Sequence, residues 1–387
     1  MIRIDKRVLT ALVAVGAGAT AYGFATDPDR TWLNFLVDSF YIMTLGVSAI
    51  FFFATQRLTS ARWSAALRRI PEAFMLTLPV AAVFMIVLIG LGRDSIYPWT
   101  DPSIFAHAPW YAGKTTYLAP GFVYARMAAV LVIWIAFALH IRRVSLAQDK
   151  DPLRALSAHA QLNRIAGLFA PVFALSITSA AYDWIISLEP EWFSTMFSVY
   201  VFAGVFVQGI AAVGLATVVL HRRGQLGKDV GDKQLHDLGK MLFAFSIFWA
   251  YIWVCQYLLI WYGNIPEEVT YYIRRTSGAW LPVFLAGLVI NWIIPFCALM
   301  SARSKRNPRV LATVCIIALA GHWLDLFIMV MPSKGGAPRF GVIELGMALG
   351  CAALVALVTV TNLSRAPLVP TGDPVLAADR MSRGEDP

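Results

Sequence analysis

The chain has 387 residues, 58% of them hydrophobic and 14% charged, with a formal net charge of +9 and a mean hydropathy of +0.65. This excludes a soluble globular class and implies apolar stretches long enough to cross a bilayer core of about 30 Å. The basic residues sit in short loops between those stretches, with no Gly-rich phosphate loop and no aromatic-basic face, so the expected partner is the membrane and nucleic acid is excluded.

Ten apolar segments follow in chain order, near 8–24, 32–54, 71–91, 120–141, 164–188, 194–220, 239–262, 278–301, 309–331 and 341–362. The first follows the basic stretch Met1–Arg7 and reads as a retained helix rather than a cleaved leader. Between the second and third, Gln56–Ile70 (QRLTSARWSAALRRI) is basic with an apolar face, the pattern of a segment lying in the cytoplasmic interface. The loop Arg93–Ala119 carries Trp99, Trp110, Tyr111 and Tyr117, expected to anchor at the headgroups or to dock a partner. The tail from Asn362 is Pro- and Ala-rich and is expected to be mobile.

Of the 32 Lys and Arg residues, 23 fall in the loops and termini of one side and 7 in those of the other, alternating loop by loop; Arg126 and Arg164 lie within or at the edge of spans. The bias predicts an all-α polytopic membrane protein of ten spans with both termini cytoplasmic.

Ionisable residues inside hydrocarbon cost several kcal/mol unless paired, protonated or wet, and so mark candidate sites. Asp183 sits near the outer end of the fifth span, just before the acidic turn Glu189-Pro190-Glu191; Arg126 lies two turns inside the fourth and Asp38 inside the second. His322 and Asp325, three apart on the ninth, share a helix face and suit proton transfer, because imidazole titrates near neutral pH. Asp38 and Glu344 lie near enough to the interface to be solvated; Asn291 and Gln256 read as interhelical hydrogen-bond glue, and Arg126 as the partner of a neighbouring carboxylate.

Metal and haem readings fail on count. Only His322 of six histidines is well inside a span, the four cysteines have no CxxC spacing, and CxxCH is absent, so neither a metal nor a redox centre is expected in this chain.

The run YDWIISLEPEWFSTMFSVYVFAG, Tyr182 to Gly204, resembles the signature of the ActF family, the smaller quinone-subunit-like membrane subunits of bacterial alternative complex III within the polysulfide-reductase/NrfD-like group. GHWLDLFIMVMP, Gly321 to Pro332, resembles a second element of that family. The resemblance covers essentially the whole chain. It implies two four-helix bundles, helices 2–5 and 6–9, with the first and tenth helices flanking. The parts are then 1–31, a first bundle at 32–193, a second at 194–340, the tenth helix at 341–362 and a tail at 363–387.

The resemblance also implies an assembly in the bacterial cytoplasmic membrane that oxidises quinol. Electrons would pass through iron–sulfur clusters and c-type haems in other subunits to cytochrome c or a terminal oxidase. The implied partners are a larger quinol-binding paralogue, an iron–sulfur protein, and multihaem and monohaem c-type cytochromes. In that paralogue the equivalent hairpin is similar to a pattern with histidine after the tryptophan. Here Phe193 follows Trp192, which argues against direct quinol oxidation by this chain. A structural role is therefore expected, with proton-path candidates Asp183, Arg126, Asp38, His322 and Asp325. Two alternatives remain. One is a quinone pocket at Tyr182, Asp183 and Trp184. The other is a stand-alone secondary transporter, against which no inverted repeat stands out.

Overall fold

The computed structural model describes residues 5–105 and 112–382, and these contain helices and no strand. Ten helices are long and apolar enough to cross a membrane: α1 (Lys6–Thr26), α2 (Pro28–Leu58), α3 (Arg69–Ile96), α4 (Pro120–Lys150), α5 (Ala155–Leu188), α6 (Phe197–Arg222), α7 (Asp232–Gly263), α8 (Trp280–Ala298), α9 (Pro308–Lys334) and α10 (Val342–Leu363). They coincide with the ten segments expected from hydropathy. Helix satisfies every backbone group within the segment itself, which hydrocarbon demands. Proline opens α2, α4 and α9, where its missing N–H is no loss. Asp27 caps α2 and Asn307 caps α9.

Helices α2 to α5 form one closed ring of neighbours and α6 to α9 a second. The rings meet along α2 and α6, each 83% buried over its most apolar stretch. At this seam Thr44 donates to Gln208 Oε1 at 3.0 Å, and the Gln208 amide donates to the Tyr41 carbonyl at 3.0 Å. Outside the rings, α1 packs along α10. A Cβ on Gly16 would fall 2.5 Å from the Gly350 Cα, so the two backbones touch, and Gly346 admits Ala19 in the same way. Small residues at such spacing let membrane helices approach closely.

Three expectations change. First, Gln56–Ile70 is not one surface-lying segment with its arginines exposed: α2 runs on to Leu58, a short 3-10 helix covers Arg62–Leu67, and Arg68 and Arg69 are buried. Their charges are met inside the fold. Glu72 accepts from Arg69 at 2.6 Å and from Arg142 at 2.8 Å, with Arg68 3.3 Å away and Ser145 also donating to it. Desolvation holds the Arg68 guanidinium below its ordinary range, opposed by the carboxylates of Glu72 and Asp373.

Second, the described tail is docked rather than mobile. Asp373 is buried and takes bonds from Arg68 at 2.5 Å and Arg57 at 3.3 Å. The Gly372 N–H donates to Asp149, and Arg380 forms a two-pronged pair with Asp229. Third, Trp99 packs inside the protein rather than on its surface, beside Tyr97, whose hydroxyl donates to the Trp184 carbonyl at 3.1 Å. Trp110 and Tyr111 lie outside the described residues.

Candidate functional site

The near end of α5 leaves the α-helical pattern. Ala181–Ile185 forms a single π turn, followed by the tight turn Ile186–Leu188. A π turn inserts one residue and re-aims the side chains after it, and such turns are frequent at functional sites. This one faces Asp183 into the first bundle, fully buried. Arg126 of α4 meets it with both prongs, Nη2 to Oδ1 at 2.7 Å and Nε to Oδ2 at 3.1 Å, while Ser179 donates at 3.1 Å. The guanidinium lies over the rings of Tyr117, 3.8 Å from the centroid, and Phe122 at 4.3 Å. Arg126 is thus the partner expected of a neighbouring carboxylate, and the pair is closed.

The proposed quinone-pocket residues are each engaged or enclosed. Tyr182 donates to the Ser194 carbonyl at 3.0 Å, Asp183 is taken by Arg126, and Trp184 is fully buried with its indole N–H unpartnered. The acidic turn beside them is a clasp. Glu189 accepts from Arg275 at 2.7 Å and Arg274 at 2.9 Å, both on the short helix Pro266–Thr276. Arg275 also donates to the carbonyls of Ile328 and Met329 at the end of α9. Trp192 stacks on Tyr271 at 4.0 Å, and its indole donates to the Glu268 carbonyl. The hairpin motif therefore ties the first bundle to the second. Arg274 and Arg275 were missed in the sequence as site residues; the signal was a carboxylate turn in need of a counterion.

The second motif gathers the other candidates around α9. Asp325 is buried and accepts from the Tyr200 hydroxyl of α6 and, at 3.1 Å, from the Trp249 indole of α7. His322 is also buried, and neither ring nitrogen has a hydrogen-bond partner. The two do not bond each other; both face Gly204 of α6. A Cβ there would fall 2.8 Å from His322 Nδ1 and 3.5 Å from Asp325 Oδ2, so the glycine makes the room they occupy.

Trp323, between them in sequence, reaches across the seam and donates to Asp38 Oδ1 at 2.8 Å. The structure thus joins Asp38, His322 and Asp325 through one helix. Among the described residues, no hydrogen bond or ion pair connects this group to Arg126 and Asp183.

Asp38 and Glu344 are not solvated as expected: both are buried. Glu344 is gripped by Arg30 through two bonds of 2.7 Å, accepts from Asn34 at 3.2 Å, and caps α10 by accepting the Gly341 N–H. Tertiary packing supplies the counterion that hydropathy does not reveal. Asn291 is interhelical glue as expected, donating from a π turn of α8 to the Gly321 carbonyl at 3.0 Å. Gln256 is not: it is buried with neither amide atom bonded.

Among the described residues no group of three or more His, Cys, Asp or Glu side chains is placed to hold a metal ion. Comparison with protein-family models and with curated proteins found no match.

Proposed function

We propose that this chain is a membrane subunit of a quinol-oxidising respiratory assembly of the alternative complex III type in the bacterial cytoplasmic membrane. Its role there is to scaffold the complex and to carry protons near its outer face. The chain holds no redox centre of its own. Quinol, the iron–sulfur clusters and the c-type haems belong to the larger paralogue, the iron–sulfur protein and the cytochrome subunits, and electrons leave to cytochrome c or a terminal oxidase. The motif resemblance supports the assembly.

One observation carries the proton role: a buried histidine with both nitrogens unbonded, one turn from a buried carboxylate already held by two donors. Unsatisfied buried polar atoms of this kind are where internal waters sit, and imidazole with water can relay a proton. In this reading Asp325 and His322 form one outer half-channel, with Asp38 held beside them by the Trp323 indole, which donates to it but does not relay a proton. Arg126 and Asp183 are a second, gated by opening their ion pair. Turnover in neighbouring subunits drives the exchange.

The assembly is tested by purifying a tagged chain in mild detergent, with mass spectrometry and a reduced-minus-oxidised visible spectrum. Stoichiometric partners and a c-type haem signal are expected, and a haem-free protein running alone refutes it. For the proton role, Asp325→Asn and Asp183→Asn in the assembly are expected to abolish coupled proton movement while leaving the spectrum intact. Unchanged coupling refutes that role.

A further inference from the structure

A cationic cavity of about 240 Å³ lies where α2 ends and α3 begins, on the side where both termini lie. Arg57 at the end of α2, Arg62 and Arg68 in the turn that follows, and His159 of α5 line it. One carboxylate faces them, Asp373 of the tail. The rest of the wall is mixed, with Phe52 and Phe53 apolar and Ser64 and Asn163 polar.

Asp373 shows what the site accepts. Its Oδ2 takes bonds from Arg57 Nη2 at 3.3 Å and Arg68 Nη1 at 2.5 Å. The cavity remains open beside that carboxylate, and the charge is not balanced by it. Arg57, Arg62, Arg68, Arg69 and Arg142 gather at this end of the fold against Glu72, Asp149 and Asp373, which leaves two positive charges over. Arg62 is exposed and, among the described residues, in no ion pair. Arg57 Nη1 donates to His159 Nδ1 at 3.0 Å. Nδ1 is therefore the acceptor, and the neutral imidazole keeps its proton on Nε2 as a further donor.

A surplus of positive charge, guanidinium forks and N–H and O–H donors in one cavity match an oxyanion, and the planar fork of arginine suits phosphate. Depth gives the carrier. Helix α2 has 31 residues, about 46 Å at 1.5 Å per residue. That exceeds a hydrocarbon core of about 30 Å, so Arg57, one residue from its end, stands at headgroup level. Phe53 lies one turn deeper on the same helix and offers an apolar surface towards the hydrocarbon.

We infer that this cavity binds a phosphate ester, its oxygens held by Arg57, Arg62 and His159 and its carrier laid against Phe52 and Phe53. An anionic phospholipid and a small soluble organic phosphate share this chemistry. The inference rests on none of the proposed electron or proton roles.

The test is native mass spectrometry of the purified, delipidated full chain with whatever co-purifies. The probes are phosphatidylglycerol, diacylglycerol with the same chains, and glycerol 3-phosphate. One saturable phosphate ester is expected to bind, and diacylglycerol is not. Phosphatidylglycerol that glycerol 3-phosphate does not displace identifies a lipid headgroup; glycerol 3-phosphate that binds alone or displaces it identifies a soluble ester. Arg62→Gln should weaken binding about tenfold, the effect of one charge-assisted hydrogen bond. Arg154→Gln removes an exposed charge on the same side but outside the cavity, and should leave binding unchanged. Binding of neither ester, equal binding of diacylglycerol, full affinity in Arg62→Gln, or equal losses in the two variants overturns the site.

Discussion

At the residue scale, the buried ion pairs are asymmetric, and the asymmetry is measurable. Asp183 is fully enclosed, whereas the Arg126 side chain retains 16% exposure at the outer end of α4. Removing the cation strands a carboxylate in hydrocarbon; removing the carboxylate leaves a cation that still lies over two aromatic rings and reaches water. Arg126→Gln is therefore expected to cost about 3–5 kcal/mol of stability, Asp183→Asn clearly less, and the double variant to recover most of the loss. Thermal denaturation in detergent separates the three. Gly204 gives a second residue-level prediction. Alanine there places a methyl 2.8 Å from the His322 ring, so the imidazole must shift, at a cost of about 1–3 kcal/mol. Under the proposed function, Gly204→Ala should also impair proton movement much as Asp325→Asn does; normal coupling in a variant of lowered stability would detach His322 from the path.

At the level of elements, the departures from helical regularity fall where polar side chains are placed. The π turn of α5 aims Asp183, and that of α8 aims Asn291. On the side where both termini lie the ordering element is the tail. Its buried carboxylate Asp373 fills a site between Arg57 and Arg68, and its helix Pro374–Ser382 buries Leu376. Asp373→Ala leaves two arginines short of a partner and removes the anchor. Residues 366–382 should then exchange amide hydrogens faster and be cut by trypsin at Arg380. Arg380→Ala, which breaks a more exposed pair, should have a smaller effect. Equal protection of the tail in wild type and Asp373→Ala would show that apolar packing alone holds it.

For the whole molecule, ten spans put the start of α1 and the end of α10 on one face, and the excess of basic residues in the loops of that face predicts that it is cytoplasmic. A cysteine at exposed Asp101 should react with an impermeant maleimide from outside the intact membrane. One at exposed Ser301 should react only after permeabilisation. The reverse pattern would invert the protein, and with it the outer placement of Asp183 and Asp325. The two rings share α2 and α6 as a common wall, so residues of both bundles meet at α9. This is why Asp38, from one bundle, joins His322 and Asp325 of the other.

The sequence by itself determined the ten spans and which ionisable groups lie along them, because hydropathy acts within some twenty residues. It also located both motifs and the pairing of Arg126 with a carboxylate. Only the tertiary structure decided which charge meets which. Arg30 finds Glu344 and Arg57 finds Asp373 across separations of 314 and 316 residues, and no local pattern encodes such a meeting. The same holds for the closed acidic clasp at Glu189, for the docking of a polar tail that composition alone suggests is mobile, and for the unpartnered nitrogens of His322. A burial cost is visible in the sequence; the group that offsets it is fixed by helix packing.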